Sequence, residues 1–248
     1  MSTSRIEGEV VTPNYTWESN YHINGSTSSL SILETRVFPA LSKLPRRYPT
    51  VVADYGCGEG RIRNQAPYWS QRPYIFRGFE INRAAVQRYN NGSGREYIPD
   101  RAEVADLTAL EVGQARFDAG LFWRVLHSIP KDLHEVVLSQ IANTLKHGAS
   151  LYTAVRSERD WVAADLEEKG FYRSGATNEC YPAMVRALEP QGVTSWPLYF
   201  FREGEIARLG EQAGLVVVYQ EPIQEPSGFK ELRDRALLSY DYIEFVRP

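Results

Sequence analysis

The sequence predicts an α/β fold built on a mostly parallel sheet. Short β-branched or aromatic runs alternate with stretches of helical apolar spacing. A glycine-rich turn, Gly56-Cys57-Gly58-Glu59-Gly60, follows the first such run. Three acids, Asp54, Glu80 and Asp106, stand at the ends of the first three runs, where ligands bind in open α/β sheets.

The elements follow in order. Residues 1–28 are polar, with Tyr15, Trp17, Tyr21 and His22 embedded in them. Residues 29–44 have helical spacing, and Pro39 predicts a kink or break there. Thr50–Tyr55 reads as the first strand, and residues 61–69 can start a helix. A second strand fits Tyr74–Phe79, ending in Glu80, with a helix over 82–90. The third strand fits 95–98 or 102–105. Phe117–Trp123 is a fourth strand, and 131–146 an amphipathic helix closed by His147-Gly148. Ser150–Val155 is a fifth strand, followed by an irregular stretch over 157–198. Residues 203–213 form a helix stopped by Gly214, and Leu215–Tyr219 and Tyr242–Val246 are late strands.

A chain of 248 residues suits one domain with insertions. We divide it into an N-terminal lid segment (1–48), a core (49–156), a covering insertion (157–201) and a C-terminal part (202–248). The net charge of −3 disfavours extended, charge-driven nucleic-acid binding. Two cysteines, Cys57 and Cys180, make no disulfide framework. The start of the chain has no apolar signal-peptide core, and no run approaches a membrane span. The expectation is a cytoplasmic monomer or homodimer with no membrane partner.

The glycine spacing discriminates between ligands. A dinucleotide fingerprint is GxGxxG, whereas here it is GxGxG preceded by Asp54. Acids at 54 and 59 repel a pyrophosphate and tolerate a cation. Glu80 can accept hydrogen bonds from both ribose hydroxyls, and Asp106 from an adenine amino group. The ligand expected is adenosine-bearing and lacks a pyrophosphate.

This pattern, DYGCGEG with Glu80 and Asp106-Leu107, resembles the class I S-adenosylmethionine-dependent methyltransferases. The resemblance covers roughly residues 50–155 and 199–219. It implies a Rossmann-like seven-stranded sheet whose last strand is antiparallel, with 241–246 the candidate for that strand. An N-terminal helical cover and an insertion after strand five complete the expected architecture. The implied cofactor is S-adenosyl-L-methionine, leaving S-adenosyl-L-homocysteine. Gly56, Gly58 and Gly60 would pass under its methionine part and ribose. Asp54 would hold the loop, or the cofactor amino group through water. Glu80 would grip the ribose diol, Asp106 and Leu107 would meet the adenine, and Ile81 would pack on its face. Trp123 would line the reaction edge or sit in the core. Trp17 and Tyr21 are assigned to the cofactor's cover.

Methyl transfer is an in-line displacement, so positioning dominates and a base is needed only for a protonated nucleophile. His127 is the candidate base, with a structural histidine as the other reading. His22, Arg124, Tyr181, Trp196 and Tyr199 are the candidate substrate contacts, and Arg156 joins Arg124 at a strand exit where an acidic substrate could be held. Residues 122–125 read Phe-Trp-Arg-Val, not the (N/D)PP(Y/F) motif of amino methylation on nucleic-acid bases. No spacing of His, Cys and Asp points to zinc. The expected acceptor is an O, N or C centre of a small molecule. The alternative is tRNA or a protein, because Trp17-x3-Tyr21 with LYFFREGEIARLGEQAGL (198–215) is similar to the tRNA 3-methylcytidine methyltransferases.

Overall fold

A computed structural model describes residues 32–45, 50–66, 74–91, 100–110, 116–160, 179–180, 198–226 and 237–248. Strand β1 (Thr50–Tyr55) lies inside the sheet and is almost continuously buried, as a parallel strand covered on both faces must be. It pairs in parallel with β2 (Tyr74–Glu80) on one side and β4 (Phe117–Trp123) on the other. β3 (Arg101–Val104) pairs with β2, and β5 (Leu145–Arg156) with β4, both in parallel. Of the two windows offered for the third strand, the structure therefore uses the later one. β6 (Glu179–Cys180) and β7 (Leu198–Tyr199) form a separate two-stranded ribbon within the stretch read as irregular.

The seven-stranded sheet has the order β3-β2-β1-β4-β5-β9-β8, completed by β8 (Val216–Pro226) and β9 (Leu237–Val246). β9 is antiparallel to both β5 and β8, so six strands share one direction and β9 opposes them. Both late strands run longer than predicted.

Helices cover both faces. On one, Val137, Leu138 and Ile141 of α4 (His134–Thr144) and Ile206 and Leu209 of α5 (Glu205–Gln212) pack on Ala53, Phe122, Leu151 and Phe245. On the other, Phe38 and Leu41 of α1 (Phe38–Ser42) and Ile62 of α2 (Arg61–Gln65) pack on Val52, Leu121, Tyr152 and Tyr242. α3 (Arg83–Asn91) buries Val86 and Tyr89 against Cys57 and Ala102. Its start is capped by Asn82, whose Oδ1 accepts the N–H groups of Ala84 and Ala85 at 2.9 and 3.2 Å.

Two local expectations need correction. Pro39 does not break its own helix. The turn before it, Leu33–Val37, is wound as a π-helix, with the Phe38 N–H on the Leu33 carbonyl. A proline without an N–H, whose ring crowds the preceding turn, is a physical cause of that widening. The helix over 131–146 is shorter than predicted. Lys131–Leu133 is a 3-10 turn, and α4 ends at Thr144 because Leu145 turns extended to pair with Phe117. Gly148, with φ of +78°, is therefore no helix cap. It sits in β5 where the register against β4 shifts, and donates to the Arg247 carbonyl at 2.7 Å.

Candidate functional site

The glycine turn hangs from the end of β2. The N–H groups of Gly56 and Cys57 both donate to the Phe79 carbonyl, at 2.7 and 3.2 Å. Gly56, Gly58 and Gly60 all have positive φ. At Gly56 the space is closed as well, since a Cβ would lie 2.3 Å from a methyl of Val125. The next strand makes room for the turn in the same way: a Cβ on Gly78 would meet Cys57 Sγ at 2.5 Å and Ala102 Cβ at 2.9 Å. Burial pushes the Cys57 thiol far up, so it packs as an apolar group.

Glu80 braces the turn. One carboxylate oxygen accepts from the Gly58 N–H at 3.0 Å, the other from the Asn82 N–H at 2.9 Å. Burial still holds its carboxyl above the usual range, against these bonds. Asp54, 2% exposed, carries an Oδ2 with no hydrogen-bond partner among the described residues. Burial first, then the charge of Glu80, push its carboxyl up to about 7, with Arg63 opposing. Arg63 is itself buried; it donates to the Tyr89 carbonyl at 2.8 Å and lies 4.1 Å over the Tyr89 ring. Ile81 is 44% exposed on the lip beside Glu80. Asp106 is exposed; its Oδ1 accepts from the Thr108 N–H and hydroxyl, and Leu107 turns into the core.

The ends of β4, β5 and β9 make the other wall. Arg124 has φ of +62°, the one positive value at a non-glycine residue among those described, and that backbone costs about 1–2 kcal/mol. The bend turns Val125 onto Gly56 and leaves the Arg124 guanidinium 4.1 Å over the Tyr240 ring. Arg156 approaches the same ring at 5.8 Å and pairs with Asp160 at 3.1 Å. His127, in the 3-10 turn Leu126–Ser128, is buried with Nδ1 lacking a partner among the described residues. Burial, then the charges of Arg156 and Arg124, hold its imidazole well below the usual range, so it is neutral at pH 7.

Among the described residues no group of three or more His, Cys, Asp or Glu could hold a metal ion. No helix there is long and apolar enough to cross a membrane.

A family profile described as a methyltransferase domain matches residues 30–220. The chain belongs to this methyltransferase family. No curated protein matches it in a sequence comparison. Among solved structures, the methyltransferase chain resembles an S-adenosylmethionine-dependent methyltransferase from Methanosarcina mazei. The TM-score is 0.66 at 15% identity, over 86% of this chain and 97% of that one. A second is 1,6-didemethyltoxoflavin-N1-methyltransferase from Burkholderia thailandensis, holding 1,6-didemethyltoxoflavin and S-adenosylhomocysteine (TM-score 0.56, 18% identity, 93% and 85% covered). A third is an S-adenosylmethionine-dependent methyltransferase from Mesorhizobium loti (TM-score 0.59, 14% identity, 85% and 96% covered). The class I S-adenosylmethionine-dependent methyltransferase expected from the glycine turn is thus the family and the fold found. The residues fit that cofactor: the glycine turn gives close backbone approach, and the unpartnered Asp54 Oδ2 is a ready acceptor for a cation.

The structure brings Asp54, Gly56, Gly58, Gly60, Glu80 and Ile81 of the methyltransferase together around β1 and β2, with Asp106 beyond β3. Arg124 and His127 stand at the β4 end. Trp123 packs in the core, its ring 5.8 Å from that of Tyr242, with its indole Nε1 lacking a partner among the described residues. Tyr199 does not line a wall. It is buried against His134 and Phe201, and its hydroxyl donates to Glu205 at 2.5 Å. Trp17, Tyr21, His22, Tyr181 and Trp196 lie outside the described residues.

Sequence reasoning missed Val125, Arg63 and Tyr240. A valine after a strand, an arginine in a first helical turn and a tyrosine in a late strand carry no signal of their neighbours.

Proposed function

We propose that this enzyme methylates an O, N or C nucleophile of a small molecule, with S-adenosylmethionine as donor. When bound, the cofactor supplies a methyl group activated by a sulfonium. Asp54 would take its amino group, Glu80 the ribose diol, Asp106 and Ile81 the adenine, and Gly56, Gly58 and Gly60 the backbone approach. The observation that carries the reading is the buried, unpartnered Asp54 Oδ2 beside a turn pinned by Glu80. That arrangement leaves a carboxyl with an open acceptor atom beside the turn, ionised above about pH 7 and favoured in its charged form by a cation placed next to it.

His127 is proposed as the base where the nucleophile arrives protonated. Its imidazole is neutral at pH 7 and so has a lone pair to offer, and burial with the Arg156 and Arg124 charges makes it a weak base. The small-molecule reading draws on the net charge of −3 and on the toxoflavin-type substrate of the Burkholderia thailandensis neighbour. The similarity of residues 198–215 to tRNA methyltransferases gives little support to the alternative. Tyr199, Phe200, Phe201, Ile206 and Leu209 of that stretch are all buried, so the shared pattern is one of packing.

Calorimetry with S-adenosylhomocysteine tests the cofactor assignment. Wild-type protein should bind it. Glu80→Ala should lose about 100-fold or more, the value of two hydrogen bonds to a charged group at about 1.5–3 kcal/mol each. No binding to the wild type would sink the reading. His127→Ala with unchanged kcat across pH would remove the base.

A further inference from the structure

Two buried polar atoms of opposite hydrogen-bonding sense share one face of the sheet. Asp54 Oδ2 is an acceptor and the Trp123 indole N–H a donor, and neither has a partner among the described residues. The two side chains are only 2% and 9% exposed. A buried polar group left unbonded destabilises a fold, so each one that persists asks for a reason. The β1–β4 register places the pair. Asp54 stands opposite Leu121, and Trp123 lies two residues further along β4 on the same face. Val52, Leu121 and Trp123 all pack on the side covered by α1 and α2. Strand spacing and rise set the Asp54 and Trp123 backbones about 8 Å apart. Two steps past Asp54, β1 has already left the sheet at Gly56, so Trp123 flanks the first glycine of the turn.

The indole is fixed from behind. Its ring lies 5.8 Å from that of Tyr242, whose hydroxyl donates to Glu244 at 2.7 Å. Arg36 donates to the same Glu244 oxygen at 2.9 Å and lies 3.4 Å over the Tyr219 ring. Packing therefore holds the donor in place, with its N–H left over. An acceptor and a donor on neighbouring strands match a group that carries a cation and an anion on one carbon, the α-amino acid end of a ligand. Under the methyl-transfer reading Asp54 takes the ammonium. We propose that Trp123 takes the carboxylate: its indole N–H hydrogen-bonds the carboxylate of the cofactor's methionine part. The inference rests on the methyl-transfer reading and deepens it. Trp123 is then a core residue through its ring and a ligand contact through one N–H. It makes the site selective for an adenosyl ligand whose amino acid is intact.

Calorimetry on the full chain, above the Asp54 transition at about pH 8, tests this with three ligands. They are S-adenosylhomocysteine, its decarboxylated analogue, which keeps the amine, and 5′-methylthioadenosine, which lacks both groups. The wild type should bind S-adenosylhomocysteine about tenfold or more tighter than the decarboxylated analogue, the fold-change of one hydrogen bond to a charged group. Trp123→Phe keeps a ring and deletes the N–H. It should bring S-adenosylhomocysteine down to within about twofold of the analogue and leave the other two ligands unchanged. Asp54→Asn should weaken both amine-bearing ligands and spare 5′-methylthioadenosine. Thermal melts check that each variant is folded. In 15N NMR of the wild type, the Trp123 indole N–H signal should move downfield with S-adenosylhomocysteine and stay in place with the analogue. Should Trp123→Phe not fold, the wild-type preference and this signal decide alone. A merely structural Trp123 would weaken all three ligands alike, and that result overturns the proposal. So does wild-type indifference to the carboxylate, or unchanged S-adenosylhomocysteine binding in a folded Trp123→Phe. In both of these cases the cofactor still binds and the methyl-transfer reading stands. Failure of S-adenosylhomocysteine to bind the wild type overturns both.

Discussion

Along the carboxyl edge of the sheet, the β1–β2 side presents Asp54 and Glu80, and the β4–β5–β9 side presents Arg124 and Arg156. The first side is built from backbone: positive-φ glycines and two amide bonds to Glu80 set its shape. The second is built from long side chains laid on an aromatic ring. A backbone-built half offers one shape to one ligand. A half built from side chains is re-aimed by single substitutions.

Gly56→Ala should break the contrast most strongly. Its Cβ meets Val125 from the opposite wall, so it combines left-handed strain of about 1–2 kcal/mol with overpacking of about 1–3 kcal/mol. Gly148→Ala, equally left-handed but with nothing within 4 Å of its Cβ, should show the strain alone. Thermal melts of the two variants separate these contributions, and S-adenosylhomocysteine binding should fall only for Gly56→Ala.

Asp54→Asn sharpens the acidic half. A carboxyl raised to about 7 keeps its proton below that pH, where it cannot serve as the anionic partner of an ammonium. Wild-type affinity for S-adenosylhomocysteine should fall about tenfold per unit below pH 7 and level off above it. The variant should bind weakly and without this slope. Stability runs the opposite way. The folded pKa is raised, so the wild type without ligand loses stability from this group as pH climbs from about 4 to 7, and the variant escapes that loss. Calorimetry and melts from pH 5 to 8 measure both.

Arg124→Gly tests the basic half. Glycine takes φ of +62° without strain, so the fold should gain about 1 kcal/mol. A variant that is less stable would mean that the Arg124–Tyr240 contact outweighs the strain. The smallest effect is expected at Glu59→Gln, which removes a half-exposed ion pair with Arg88 at 2.5 Å. Its melt should shift by less than about 0.5 kcal/mol.

The backbone-built half was the legible one. Positive φ calls for glycine, and a ribose calls for an acid at a strand end, so Gly56, Gly58, Gly60 and Glu80 stood out in the sequence. The strands were legible for the same reason, since burial on both faces demands apolar runs. The helix over 131–146 was overextended because Leu145, Lys146 and His147 suit a helix by themselves. Only the pairing of Leu145 with Phe117 ends it. The side-chain half stayed hidden, because the meeting of Arg124 with Tyr240 depends on a contact across 116 positions of chain that no local pattern encodes.

Gly78 carries a consequence beyond its own strand. Its missing Cβ is the space that the Cys57 sulfur fills. Positions 57, 78 and 102 share one fixed volume, so a lineage can enlarge one only by shrinking its neighbours. Alanine at 78 should be found with glycine at 102 and a residue smaller than cysteine at 57, and cysteine at 57 with glycine at 78. That pairing would write the seat of the cofactor turn into sequence covariation, and selecting second-site rescuers of Gly78→Ala would reveal it directly.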